Sequence, residues 1–358
     1  GDTISSYEAS VACVRSSFAG ALGKSALAFA APAQASPRLR RAGWCRRPLS
    51  PPLCHMSSSL KIAAVFATMN RAETAKKCVL ALARQTRPPD LVVVADNCSA
   101  DDTAGSLERL QDQPFKLIVH RMPENQGNAG GVEAAMDLAF DKGADAVWIL
   151  DDDSWPREAA LEALLKDPWV PNIVRHALQV DPKTGRFTWP MWVDGGSGWK
   201  LVFDPVDLPE GNLIPSKSSW TGALISKQIY KQVGPVNGAL FIRGEDEEYP
   251  WRISLEGHSF AGVRGAVMDH PGPDALVHWQ FLGKHFFFER GLSDWKLYYK
   301  IRNMVWLKRR QSGNVRALAM AILYALAAIW FDHGLRVGVV WEAARDGWQG
   351  RLGKWEEH

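Results

Sequence analysis

The sequence has little cysteine and no paired cysteine motif. Cys13, Cys45, Cys54, Cys78 and Cys98 make an odd five without CxxC spacing, which argues against a disulfide framework or zinc site and for a reducing compartment. Acid is nearly missing from residues 1–59, where seven Lys/Arg face only Asp2 and Glu8; this stretch carries +5 and the remainder −2 of the net +3. The pI near 8.6 therefore comes from the leader and is no argument for nucleic acid binding. Long apolar runs are scarce: Ala317–Phe331 is 15 residues, short for crossing a bilayer. The stretch Asn125–Gly131 is neither GxGxxG nor GxxxxGKS/T, so neither a dinucleotide fold nor a P-loop NTPase is supported. What remains suits one large or two smaller globular domains, 46% hydrophobic and 23% charged, with a high count of sixteen tryptophans.

Residues 1–59 are rich in Ala, Ser, Pro and Arg and show neither strand nor helix periodicity. Untranslated sequence read in frame, an Arg/Ser-rich targeting segment and a disordered arm are the competing readings. Met56, just ahead of the first convincing strand, favours a mis-set start with disorder before it.

From Lys61 strands and helices alternate. Ile62–Phe66, Leu91–Ala95, Phe115–Val119 and Ala146–Leu150 read as short apolar strands, separated by helices through Ala75 to Leu82, Leu107 to Leu110 and Met136 to Phe140. This order implies a mostly parallel sheet with ligands beyond the strands' C-terminal ends. Polar clusters stand at those ends: Thr68/Asn70/Arg71, Asp96/Asn97 and Asp151-Asp152-Asp153. Three adjacent carboxylates repel one another. A divalent cation gives a reason to place them there, since hard oxygen ligands suit Mg²⁺ or Mn²⁺ that also bridges phosphates. The competing reading is a solvated acidic turn before a helix opened by Pro156.

Residues 166–219, with Trp169, Trp189, Trp192 and Trp199, read as short strands and loops helping to wall an acceptor cleft. A strand over Ser219–Ile225 and a helix around Ile229 and Val233 follow. Glu245-Asp246-Glu247-Glu248 then heads a helix running to Glu256. Carboxylates at a helix N-terminus favour its dipole, but four exceed what capping requires, and one at a cleft suits a general base toward a hydroxyl. Two short strands, Phe260–Val263 and Ala266–Met268, end at His270. Basic and aromatic residues over 284–316, beside the apolar run, suit either an anionic membrane surface or a helix packed on the main domain.

Together and in this order, these residues resemble an inverting family 2 glycosyltransferase of the GT-A fold over about residues 60–310. The motifs are Thr68–Arg71, Asp96-Asn97-x-Ser99, Asn125-x-Gly127-x-x-Gly130-Gly131, Asp151-Asp152-Asp153 and Glu245-Asp246-x-Glu248-Tyr249-x-Trp251-Arg252. The chain looks most like bacterial galactofuranosyltransferases, and related rhamnosyltransferases, of cell-envelope glycan assembly. His270 takes their metal-ligand place, and Asp294-Trp295-x-x-Tyr298-x-x-x-Arg302-Asn303 their later DWxxYxxxRN. It departs in Glu245, where the family has Asp, and in Asn128, where Gly is common.

The resemblance implies an α/β GT-A catalytic domain over 60–283, a mostly parallel central sheet flanked by helices, and a helical C-terminal region over 284–358. Thr68, Asn70, Arg71, Asp96, Asn125, Asp151 and Asp152 would hold the nucleotide sugar. Asp153, His270 and Asp151 would hold Mn²⁺ or Mg²⁺. Asp246 would be the base, assisted by Glu245, with Trp220, Glu248, Trp251 and Arg302 at the acceptor. The implied partners are a nucleotide-diphosphate sugar donor, plausibly UDP-galactofuranose, and a lipid-linked glycan acceptor, with peripheral contact at the cytoplasmic face of the membrane and no nucleic acid. A dTDP-rhamnose-dependent rhamnosyltransferase and a non-catalytic sugar-binding module are the alternatives.

Overall fold

The computed structural model describes residues 60–110, 112–196, 198–272, 276–281, 284–331 and 334–355. The expected disordered leader, 1–59, lies outside the described residues. In chain order the elements are β1 (Ile62–Thr68), α1 (Ala72–Ala83), β2 (Leu91–Asp96), α2 (Thr103–Glu108), β3 (Lys116–Arg121), α3 (Gly127–Asp141) and β4 (Ala146–Ile149). Then come β5 (Trp155–Pro156), α4 (Ala160–Lys166), β6 (Ile173–Val180), β7 (Met191–Asp194), β8 (Trp199–Val202), β9 (Leu213–Ser216), β10 (Ala223–Ser226) and α5 (Lys227–Val233). The chain ends with α6 (Glu245–Leu255), β11 (Ser259–Asp269), β12 (Leu276–Phe281), β13 (Lys284–Glu289), α7 (Asp294–Ser312), α8 (Asn314–Phe331) and α9 (Val337–Gln349).

Strands β3-β2-β1-β4 are parallel, as the alternating pattern requires. Side-chain alternation explains their near-continuous apolar runs. Ala63, Val65 and Ala67 of β1 pack with α3 residues Val132 and Met136, whereas Ile62, Ala64 and Phe66 pack with Val79 and Leu82 of α1 and Leu161 of α4. Both sheet faces are covered, so both registers of the strand must be hydrophobic.

Beyond β4 the sheet becomes mixed. β10 is antiparallel to β4 and β6, β6 is parallel to β11, and β9, β7 and β8 continue antiparallel. Parallel pairing is thus continuous through the first four strands and recurs between β6 and β11 within the mixed part. Several local expectations change. Pro156 does not open a helix: Trp155–Pro156 pairs antiparallel with Met268–Asp269, and the helix begins at Ala160. Phe260–Met268 is one strand, not two, with a bulge between Gly262 and Val267 against β6. Residues 284–289 are a strand paired with β12, so the C-terminal helices begin at Asp294.

Helices α7, α8 and α9 share a core of Leu297, Tyr298, Ile301, Val305, Ala317, Tyr324, Ala328, Val340 and Ala343. Helix α8 starts three residues before the apolar run, and its 18 residues are long and apolar enough to cross a membrane by length and composition. Its other side leaves Leu318, Ile322, Leu326, Ile329 and Trp330 about half exposed or more, with Trp330 at 64%.

Candidate active site

The break in strand order, where β1 is flanked by β2 and β4, puts the ends of β1 and β4 side by side. A cleft of about 820 Å³ opens there, the place where open α/β sheets bind ligands. Thr68, Asn70, Arg71, Asn125, Asp151, Asp152, Asp153, Trp220, Glu245, Asp246 and His270 all line it. Asp96, Glu248, Trp251 and Arg302 do not.

The acidic turn is not a uniform patch. Asp152 is buried, accepting from Thr68 Oγ1 at 2.8 Å and from Arg71 at 2.7 Å. Burial raises its pKa to about 6 although Arg71 and Thr68 oppose the shift. Asp153 accepts from Arg71 at 3.0 Å and lies 3.5 Å from His270 Nε2. Burial disfavours its charge, but the His270 contact and the Arg71 charge outweigh it and hold the carboxyl at about 2. Asp151 accepts from Thr221 Oγ1 at 2.6 Å, and burial raises its pKa against His270 and Thr221.

The β5–β11 pairing brings His270 to this turn, since Asp269 sits opposite Trp155. Ligand atoms of Asp151, Asp153 and His270 all lie within 4.8 Å of one another. Two hard oxygens and an imidazole at that spacing fit a divalent cation. His270 turns Nε2 to the acids, 3.5 Å from Asp153 and 3.9 Å from Asp151, so that nitrogen is the one placed for ligation, while Nδ1 is buried without a hydrogen bond.

The second cluster is built differently. The backbone N–H of Gly244 donates to Asp246 at 3.0 Å, and the charge of Asp246 is among those raising the pKa of Asp151. Glu245 is buried, and burial with the adjacent Asp246 charge pushes it well above the usual carboxylate range. Its Oε1 accepts from Asn128 at 3.0 Å, and its Oε2 has no hydrogen-bond partner. The chain's two departures from the family pattern therefore touch one another.

Four expected residues need correction. Arg252 holds Glu248 in a two-pronged ion pair, 2.7 and 3.0 Å, one helical turn away. Glu248 is thus committed to the helix rather than to a ligand. Trp251 packs with Ala129, Leu240, Trp306 and Leu307. Arg302 is 1% exposed and spends its donors on Asn303 Oδ1 and on backbone carbonyls, including Leu240 at 2.9 Å and Gly353 at 2.6 Å. Asp96 lies at 0% exposure; Ser99 N donates to Oδ1 at 3.3 Å, and Arg121 Nε stands 3.7 Å from Oδ2 as an ion pair.

Two further polar side chains brace the turns. Asn70, at φ 53, accepts from Ala100 N at 2.7 Å, tying the β1 turn to the β2 turn. The expected Asn125–Gly131 turn is largely the first turn of α3, and Asn125 accepts from Gly127 N at 2.9 Å to start it. A Cβ on Gly127 would stand 2.0 Å from Phe241 O, so only glycine allows that approach. Thr221 carries no motif signal of its own. Asn97, part of the Asp96-Asn97-x-Ser99 motif, donates to Gly127 O at 2.7 Å, a bracing role that only the α3 turn it meets discloses.

An α/β sheet whose parallel half ends in this cleft, with a metal-type ligand set on one wall and a separate carboxylate on another, has the build of a group-transfer enzyme. Residues 64–167 match the Glycosyl transferase family 2 model. Galactofuranosyltransferase GlfT1 of Mycobacterium tuberculosis is 29% identical over 214 residues, 58% of this chain and 69% of the relative. Its namesake in Mycolicibacterium smegmatis is 28% identical over 226 residues, 60% of this chain and 72% of the relative. Among solved structures, GalNAc-T7 with UDP, GalNAc and Mn²⁺ has a TM-score of 0.48 at 16% identity, covering 71% of this chain and 48% of that one. The S. aureus TarS 1-349 complex with UDP has a TM-score of 0.47 at 13% identity, covering 84% and 94%. The chain spans about half the length of the first of these. The family 2 match over residues 64–167 and the names of the curated relatives support a glycosyltransferase.

Proposed function

We propose that the protein is a metal-dependent inverting glycosyltransferase moving galactofuranose from UDP-galactofuranose to a hydroxyl of a lipid-linked cell-envelope glycan. The reading rests on one observation: the Asp151/Asp153/His270 group and the Asp246 carboxylate line a single cleft. Thr68, Asn70 and Arg71 are assigned to the nucleoside side. Asp151, Asp153 and His270 would hold a divalent cation, which would supply charge neutralisation of the diphosphate leaving group. Asp246 takes the proton of the acceptor hydroxyl as that oxygen bonds to the anomeric carbon. The bond from that carbon to the diphosphate oxygen breaks, and its electron pair leaves with UDP. One displacement inverts the centre and needs one base, whereas retention would need a second carboxylate as nucleophile.

Names of the curated relatives support the donor. The lipid-linked acceptor draws support from α8, whose exposed Leu318, Ile322, Leu326 and Ile329 form an apolar stripe near Arg309, Arg310 and Arg316. Such a face suits peripheral contact with an anionic membrane, on the side where nucleotide sugars are available.

The test is Asp246→Asn. Turnover with UDP-galactofuranose should fall about 10³-fold while UDP binding persists; full activity sinks the base assignment. Undiminished turnover in excess EDTA sinks the metal. A screen against dTDP-rhamnose decides the donor, and flotation of full-length protein with anionic vesicles, with and without Ile322→Glu/Leu326→Glu, decides the membrane face.

A further inference from the structure

Four residues, Phe241–Gly244, lead into Glu245 and Asp246, and three of them have left-handed backbone. Phe241 and Arg243 both stand at φ 65 and Gly244 at φ 102. Side chains with a Cβ disfavour that region, so the surroundings must impose it. Helix α7 does so through Asn303, which has no exposed surface. Its amide donates to Leu240 O at 2.9 Å, to Ile242 O at 3.1 Å and to Arg243 O, sharing two N–H groups among three carbonyls. Its Oδ1 accepts from Arg302 Nε at 2.9 Å, which fixes which way the amide faces.

The far side of the loop is held as well. Phe241 O accepts from Ala129 N at 2.9 Å, and its ring stacks on Tyr299 at 4.8 Å. Arg243 pairs with Glu289 at 2.6 and 3.1 Å. The loop ends at Gly244, whose N–H donates to Asp246. A Cβ on Gly244 would come 3.0 Å from Asn303 Cβ.

We propose that Asn303, oriented by Arg302, is a positioning residue for transfer: it holds the 241–244 loop in its left-handed form and so aims the Asp246 carboxylate into the cleft. The proposal rests on Asp246 being the base, and Asn303, which does not line the cleft, thereby takes part in transfer without touching substrate. Buried, carbonyl-directed donors replaced by an apolar group of similar size leave packing in place but free the loop.

The experiment is a double-mutant cycle on the full chain, with turnover of UDP-galactofuranose on a synthetic lipid-linked glycan expressed per UDP-binding site. Asn303→Leu alone should lower kcat about 30-fold, with UDP affinity within about twofold, and in the Asp246→Asn background it should change the residual rate by less than about twofold. Gly244→Ala, which disturbs the same contact from the loop side, should give the same pattern and serves if Asn303→Leu does not fold. An Asn303→Leu kcat within about threefold of wild type, or a loss that adds in full to that of Asp246→Asn, overturns the proposal. Full activity of Asp246→Asn alone instead overturns the base reading, which separates the two failures.

Discussion

The acidic runs 151–153 and 245–248 look alike on paper and behave differently in the fold. The first sits on a turn after β4, where each carboxyl meets a different neighbour: Thr221 for Asp151, Thr68 and Arg71 for Asp152, His270 and Arg71 for Asp153. Adjacent groups are thereby split between about 6 for Asp152 and about 2 for Asp153. The second run winds into a helix, so successive side chains point in different directions. Glu248 turns inward to Arg252, Glu247 outward to Lys308, and Glu245 and Asp246 toward the cleft. A turn can bring two carboxylates, Asp151 and Asp153, to one point, whereas a helix disperses four. This physical difference separates a metal-type site from a single-base site.

The comparison breaks if the two runs respond alike to substitution. Asp153→Ala should have the largest effect, lowering turnover by roughly 10²–10³-fold and abolishing Mn²⁺ binding in a calorimetric titration. Glu247→Gln, at the exposed side of the helix, should leave both within about twofold. Next is Arg252→Met, which strands the buried Glu248 carboxylate. Stability should drop by about 3 kcal/mol in urea unfolding, with turnover per folded molecule unchanged, because that acid belongs to the helix.

Burial also acts on His176, on the cleft wall beside Ser216, pushing its pKa down to about 4. Between the unfolded value near 6.5 and the folded value, the unfolded chain binds a proton that the folded chain refuses. Stability should therefore be fully present above pH 6.5 and fall by about 2 kcal/mol on going from pH 7 to pH 5. His176→Gln should flatten that slope in thermal unfolding. The smallest effect expected is for Asn128→Ala. Losing the hydrogen bond to Glu245 should cost about 1 kcal/mol of transition-state stabilisation, read as a fall in kcat/KM of about fivefold.

Much of the parallel half was legible because its signals are local. Ile62–Phe66 and Leu91–Ala95 are continuous apolar runs ending in polar turns, and the strands' position in the chain follows from that pattern. Asp246 and His270 were legible as motif positions. Arg302, Glu248 and Trp251 were misjudged because charge and aromaticity alone do not say which way a helix faces. Helix α7 turns Arg302 to the carbonyls of residues 239, 240 and 353. The strand at 284–289 was hidden within a basic, aromatic segment whose pairing partner lies on another strand.

By itself the sequence determined in which order the parallel strands and helices run and which polar clusters stand at the strand ends, because periodicity and turn residues act over a few positions. Only the tertiary structure decided which acids meet. His270 reaches Asp153 through the two-residue pairing of Trp155–Pro156 with β11, and Asp246 is aimed by a strained loop gripped from a helix near the other end of the chain. Such contacts depend on register and close packing between distant segments, which no local pattern encodes.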